Sequence, residues 1–295
     1  MNKAPQPIQI DAQLLALLSP DVVRVLSWGQ RFELPGKMVW HAWGEEENPT
    51  VVLLHGGSGS WTHWIRNIAP LVISGHRVLA VDLPGFGDSE LPVHGGDADA
   101  LVAPLHEAWQ HMRRHNNNTL LGFSFGGMTA ALWLAAHPAD AQSLVMVGAP
   151  GFGLASPRRI PLKGWRHLAT PELQAQAHRH NLLGLMLYDA DQLDALAMRL
   201  HILNVARDRM TRRRLSSTPV LVPVMPQIQC PVHAIYGEHD AFYLDNLPEV
   251  EAMYRRITPR LASWQLLQGS GHWVQYETPD VFESALQRAL QQAKA

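Results

Sequence analysis

A serine, an aspartate and a histidine, each in a short glycine-bearing loop, carry the chemistry that this sequence offers. Ser124 lies in Gly122-Phe123-Ser124-Phe125-Gly126, followed by Gly127, directly after an apolar run that reads as a strand. A serine hydroxyl is a weak nucleophile at neutral pH, and it needs an adjacent base, itself oriented by a carboxylate, to attack a carbonyl. His272, between Gly271 and Trp273, and Asp240, which ends Gly237-Glu238-His239-Asp240, supply those groups in the chain order Ser, Asp, His. Taken singly, such an aspartate is more often a turn former and such a histidine more often structural. The agreement of order, loop position and serine motif favours catalysis. Glu238 and Asp245 are the nearby carboxylates able to stand in for Asp240.

The G-x-S-x-G pattern predicts a strained strand-to-helix turn, in which residues without a Cβ let two backbones pass closely. Gly122, Gly126 and Gly127 meet that demand. A tetrahedral intermediate needs donors aimed at its oxygen, and the expected ones are the backbone N–H groups of Phe125 and of Gly57 in His55-Gly56-Gly57-Ser58. The bland alternative for Gly57 is a tight turn after a strand. Phe123, Trp273 and Ser58 are the residues expected to contact the substrate, and His55 is expected to brace its loop rather than act as a base.

These loops must be held by something periodic. Short apolar runs, Val51 to Leu54, Arg77 to Val81, Thr119 to Phe123, Ser143 to Val147, Val232 to Tyr236 and Trp264 to Leu267, alternate with helical-length segments. That rhythm predicts a mostly parallel sheet covered by helices, with ligands outside the carboxyl ends of the strands. Upstream, Ala12 to Leu18 reads as a short amphipathic opening, and Val22 to Leu34 with Lys37 to Gly44 as paired strands around Pro35-Gly36. From Pro171 to Leu215 leucine, methionine and arginine recur at helical spacing. The chain thus divides into a first core part (1–150), a helical cap (151–225) and a second core part (226–295). The cap's leucines and methionines serve helix packing or line an apolar pocket from above.

Composition narrows the function. The 295 residues carry 24 basic and 26 acidic side chains, a net charge of -2, which offers no field for nucleic acid or an anionic membrane. A single cysteine, Cys230, excludes an internal disulfide and suits a reducing, cytoplasmic setting; Met1 to Ile10 shows no export signal. The stretch between Arg114 and Asp140 lacks charge, but Asn116 to Asn118, glycines and Ser124 break it, so it reads as a buried strand and helix rather than a membrane span. His111 and His115 have i, i+4 spacing, yet without H-E-x-x-H or a following carboxylate they read as a surface face, and no metal or cofactor is expected. The arginines at 207, 209, 212, 213 and 214 read as solvated surface, or as the source of one inward arginine for a substrate carboxylate. A small-molecule substrate is the expected partner, and a homo-oligomer stays open.

From Val51 onward the chain resembles the α/β-hydrolase family. The matching pieces are His55-Gly56-Gly57, Asp82-Leu83-Pro84-Gly85-Phe86-Gly87-Asp88-Ser89, the serine motif, Gly237-Glu238-His239-Asp240 and Gly271-His272. The resemblance implies an α/β fold with a helical cap, catalytic roles for Ser124, Asp240 and His272, and a structural place for Asp82. Serine at position 124 argues against haloalkane dehalogenase or epoxide hydrolase chemistry, whose enzymes use aspartate there. Gly271 to Glu277 and Trp61 to Asn67 are similar to meta-cleavage product hydrolases, which cut a carbon–carbon bond in dienoates. Those enzymes usually have a small polar residue where this chain has Phe123, and a Gly-Pro-Gly type segment where it has Ser58-Gly59-Ser60. Ester hydrolysis therefore leads, carbon–carbon hydrolysis follows, and a non-catalytic ligand-binding protein is the reading from another class.

Overall fold

The computed structural model describes residues 4–154 and 161–292. Its strands are β1 (Gln6–Pro7), β2 (Gln30–Leu34), β3 (Met38–Trp43), β4 (Thr50–Leu54), β5 (Arg77–Asp82), β6 (Asn118–Phe123), β7 (Ser143–Val147), β8 (Val232–Gly237) and β9 (Leu261–Leu267). Among the described residues they form one sheet in the order β1-β2-β3-β5-β4-β6-β7-β8-β9. The first three strands and the β3/β5 pair are antiparallel, and every later pairing is parallel. This is the mostly parallel, helix-covered sheet that the alternation of runs predicts, and it is the α/β-hydrolase fold that the family resemblance implies.

Both faces of the sheet are covered, which explains why the central strands are apolar throughout rather than alternating. In β4, Val52 and Leu54 join one buried cluster while Val51 and Leu53 join the other. On the first face lie α4 (Val102–Met112), α5 (Phe125–Ala136) and α8 (Leu247–Ile257), through Trp109, Met128, Trp133 and Tyr254. On the second lie α3 (Ile68–Ile73) and α10 (Pro279–Gln292), through Ile68, Leu71, Phe282 and Leu286. The charge-poor stretch before Asp140 is β6 followed by α5, both buried. No helix among the described residues is long and apolar enough to cross a membrane.

One expected strand is a helix. Ala12–Leu15 forms α1, and Pro20–Ser27, inside the run read as extended from Val22, forms α2. The Ser19 hydroxyl accepts from Val22 N, Pro20 occupies the first turn and Asp21 favours the positive helix end. Burial falls on Val25 and Leu26, with Val22 partly covered, which is helical spacing; the β-branched valines concealed it. The Pro35–Lys37 turn between β2 and β3 is present, with Gly36 at φ 72°.

Between β7 and β8 the chain leaves the sheet. It forms α6 (Pro171–Leu185) and α7 (Ala195–Ala206), both within the stretch expected to be helical, before short turns lead back to the sheet. Residues 155–160, within the expected cap, lie outside the described residues. Leu182, Leu187, Leu196 and Leu200 of this insertion share a buried cluster with Trp61, Trp64 and Trp273. The insertion is packed onto the sheet domain by the same burial that forms the core.

Candidate active site

Ser124 stands between β6 and α5 at φ 50° and ψ -118°, a conformation that L side chains rarely adopt. Its N–H donates to Val147 O at 2.7 Å, anchoring the turn to the end of β7. Close backbone passage requires the flanking glycines: an added Cβ would lie 2.5 Å from Gly126 O at Gly122, 2.4 Å from Leu54 O at Gly126 and 2.8 Å from Gly122 O at Gly127.

The loops after β8 and β9 bring Asp240 and His272 together. His272 Nδ1 and Asp240 Oδ2 are 2.8 Å apart and both side chains are buried. An ionised carboxylate only accepts, so Nδ1 is the donor, an arrangement that in a neutral imidazole leaves the Nε2 lone pair available. Asp240 Oδ1 accepts from Phe242 N at 2.9 Å, and the rings of Phe242 and Phe123 hold the imidazole at centroid distances of 4.5 and 4.9 Å. Gly148, at φ 55°, lets the pair approach: a Cβ there would lie 3.0 Å from Asp240 Oδ2 and from the His272 ring. Glu238 is turned elsewhere, accepting from Gly269 N at 3.1 Å. The side chain of Asp245 lies outside the described residues.

Ser124 and His272 face one cleft of about 280 Å³, with Gly57, Ser58, Phe123 and Phe125 beside them and Leu185, Met186 and Phe242 as apolar wall. The N–H of Phe125 occupies the first position of α5, where a helix offers it no internal acceptor. Trp273 does not join this lining. It is buried behind it, stacked on Tyr276 at 4.2 Å, with its indole N–H on His63 O at 3.1 Å. Trp273 caps the short helical turn Val274–Glu277, and its ring packs with that turn instead of following the His272 side chain into the cleft.

The loop after β4 is braced, not reactive. Leu83 N donates to His55 Nε2 at 3.0 Å, so His55 Nδ1 carries the proton and donates to Gly56 O at 2.7 Å. Burial pushes the His55 imidazole down to about 4, keeping it neutral. Asp82 accepts from Trp61 N and Asp88 N at 2.9 and 3.0 Å, a structural place. Ser60 Oγ and Thr62 Oγ1 donate to Asn204 Oδ1 of α7 at 2.7 and 3.2 Å, and Ser58 Oγ donates to Asp208 Oδ2 at 2.5 Å. Of the arginine cluster, Arg213 turns into the cleft, bound to Asp208 at 2.8 and 3.0 Å and lying over the rings of Phe86 and Phe125. Asn204 and Asp208 escaped the sequence reading, since neither sits in a motif.

Residues 49–221 match the model of the alpha/beta hydrolase fold family. The chain belongs to that family. It is similar to a 2-hydroxy-6-oxononadienedioate/2-hydroxy-6-oxononatrienedioate hydrolase of Escherichia coli (strain K12), 29% identical over 248 residues that cover 79% of this chain and 84% of the relative. Among solved structures it is similar to a membrane phospholipase A described as a bacterial virulence factor, with a TM-score of 0.74 and 24% identity over 96% of this chain and 92% of the other. A putative aryl esterase from Burkholderia cenocepacia superposes with a TM-score of 0.71 and 21% identity, over 90% and 98% of the two chains. The structural likenesses speak for the fold.

Two further features of this α/β-fold hydrolase lie apart from Ser124. A larger cavity of about 690 Å³ opens between the N-terminal segment and α7, with His41, Trp61, Asp88 and Arg207 on its walls, and is lined by none of Ser124, Asp240 and His272. At the amino edge of the sheet, His106, His137 and Asp140 place ligand atoms within 4.8 Å of one another, a grouping able to hold a metal ion. There Asp140 accepts from His106 Nδ1 at 2.6 Å and from Trp133 Nε1 at 2.8 Å.

Proposed function

We propose that the protein is a cofactor-free serine hydrolase acting on a carboxylic ester of small to medium, largely apolar acyl chain. The observation that carries this reading is the buried Asp240–His272 hydrogen bond facing the same cleft as a strained, helix-capping Ser124. Ser124 Oγ attacks the acyl carbon while His272 Nε2 takes its proton; the imidazolium formed is held by Asp240 and then protonates the leaving alkoxide. Water, deprotonated by the same imidazole, resolves the acyl-enzyme. The N–H groups of Phe125 and Gly57 receive the oxyanion, and loss of one such donor costs about 3 kcal/mol of transition-state stabilisation. Residues 151–225 act as a cap, with Leu185 and Met186 setting the acyl wall. The lone, buried cysteine suits a cytoplasmic setting.

A second reading is favoured by Arg213. A guanidinium in the cleft suits a carboxylate-bearing substrate, and the likeness to the Escherichia coli dienedioate hydrolase points the same way. Against it, Asp208 already neutralises Arg213, and no second cation lines the cleft among the described residues, where Phe123, Phe125, Leu185, Met186 and Phe242 supply an apolar wall. The test is kcat/KM on p-nitrophenyl esters from acetate to long acyl chains beside a phenyl-substituted dienoate, with wild type and Ser124→Ala in parallel. Ester turnover that vanishes in the variant supports the esterase; dienoate cleavage with negligible ester turnover replaces it by carbon–carbon hydrolysis. Turnover of neither substrate favours a ligand-binding protein.

A further inference from the structure

Among the described residues no cation pairs with the buried carboxylate of Glu277. It closes the single turn of α9 (Val274–Glu277) and is 3% exposed. Its Oε2 accepts from Gly271 N at 2.6 Å, and its Oε1 accepts from Tyr188 N and Asp189 N, both at 2.7 Å. Three backbone donors compensate a charge whose removal from water is costly. Those donors come from two places: the loop that presents His272, and the turn that follows α6.

The other chain neighbour of His272 is tied to the same turn. Trp273 N donates to Met186 O at 2.8 Å. His272 is therefore bracketed, with Gly271 held through Glu277 to residues 188 and 189 and Trp273 held directly to residue 186. Leu185 and Met186, at the head of that turn, form part of the cleft wall. The Tyr188 ring stacks on His239 at 3.6 Å, one residue before Asp240. The contact fits closely: a Cβ at Gly271 would lie 2.7 Å from Tyr188 N.

We infer that Glu277 is a positioning residue that locks the substrate-facing end of α6 to the His272 loop, so that filling of the cleft by an acyl chain places the imidazole. This rests on the reading of Ser124 and His272 as nucleophile and base. Contact of the acyl group with Leu185 and Met186 bears on the 186–189 turn, and the Glu277 carboxylate transmits the turn's place to Gly271. Part of the binding energy of an unreactive chain is thereby used to orient a reactive group.

The test compares p-nitrophenyl acetate with p-nitrophenyl hexanoate. Glu277→Gln puts an amide N–H against one of the backbone donors, which opens the lock without changing side-chain volume. With folding checked by circular dichroism and Tm, kcat for hexanoate falls by about 30-fold or more while acetate loses only a few-fold, a misplacement effect of the size that small displacements produce. KM changes little for either ester. Asp189→Pro is the second variant, compared with Asp189→Asn, which keeps an acceptor for Asp191 N: the φ of -86° is near that of proline, and the proline deletes one N–H to Glu277 while leaving the Glu277 carboxylate in place. It reproduces the chain-length pattern at smaller size and decides alone if Glu277→Gln does not fold. Equal losses on both esters, or unchanged kcat on both, overturn the coupling. Full ester turnover in Ser124→Ala overturns the serine reading itself, a separate outcome.

Discussion

Asp208 accepts two hydrogen bonds from Arg213, at 2.8 and 3.0 Å, beside the cleft that Ser124 faces. The same carboxylate receives the Ser58 hydroxyl, so one acidic group fixes both an arginine and the loop that carries Gly57.

Neutralising that acid frees the arginine. In Asp208→Asn, Arg213 loses its charged partner and turns to any carboxylate on the substrate. A charged hydrogen bond contributes about 1.5–3 kcal/mol, so KM for a hemisuccinate ester falls by roughly tenfold relative to its neutral butyrate analogue. Steady-state kinetics on the two esters check this; an unchanged ratio removes Arg213 from substrate selection.

Ser124→Ala removes the hydroxyl proposed as nucleophile and leaves the backbone of the turn intact. Turnover falls by about three orders of magnitude or more, the size found when a serine that acts with a base is deleted. Its Tm stays near that of the parent, because the anchoring bond to Val147 O is made by the main chain. Residual turnover close to wild type contradicts the assigned role.

Gly126→Ala strikes the turn itself. The added methyl would lie 2.4 Å from Leu54 O and 2.5 Å from His55 O, both backbone atoms that cannot swing aside. Overpacking of this kind costs about 1–3 kcal/mol or more, so the variant unfolds at visibly lower urea concentration. A coincident urea curve contradicts the close approach.

Acid lowers stability through buried neutral histidines. Burial pushes His41, His55 and His201 down to about 3, 4 and 3. The unfolded chain binds these protons below about pH 6.5, whereas the folded chain refuses them until near 3 or 4. Between those limits the unfolded state binds more protons, so stability falls as pH falls, by about 1.4 kcal/mol per unit for each fully buried ring. Asp82, Glu277 and Glu283, held above the usual carboxylate range by burial, retain protons in the folded state and oppose part of this loss. The Tm is expected to descend from pH 6.5 toward 4, and less steeply in His201→Leu. An identical slope in that variant removes His201 from the account.

The sequence displayed the sheet because its central strands are covered on both faces, which leaves unbroken apolar runs such as Val51 to Leu54. Ser124, Asp240 and His272 stand out in the sequence because each follows a strand among residues that a tight loop requires; the structure pairs Asp240 with His272 and sets Ser124 on the same cleft as His272. Trp273 was misread as a substrate contact, since adjacency in the chain does not say which way a side chain leaves a loop. The α2 helix was hidden by β-branched residues whose cap, Ser19, lies outside the apolar run. Ser60 and Asn204 are 144 residues apart, Ser58 and Asp208 150, and Tyr188 and Glu277 89. No local pattern announces such pairs; they exist only once the insertion is packed.

The end of β7 gives the site a common origin. Ser124 N is bonded to Val147 O, and the next residue, Gly148, is bonded through its N–H to Ile235 O and leaves room for Asp240 and His272, each of which would lie 3.0 Å from a Cβ there. Ser124, Asp240 and His272 are thus all referred to two consecutive residues, the last of an interior strand and the one that follows it. A displacement of this end of β7 is therefore felt by all three side chains at once.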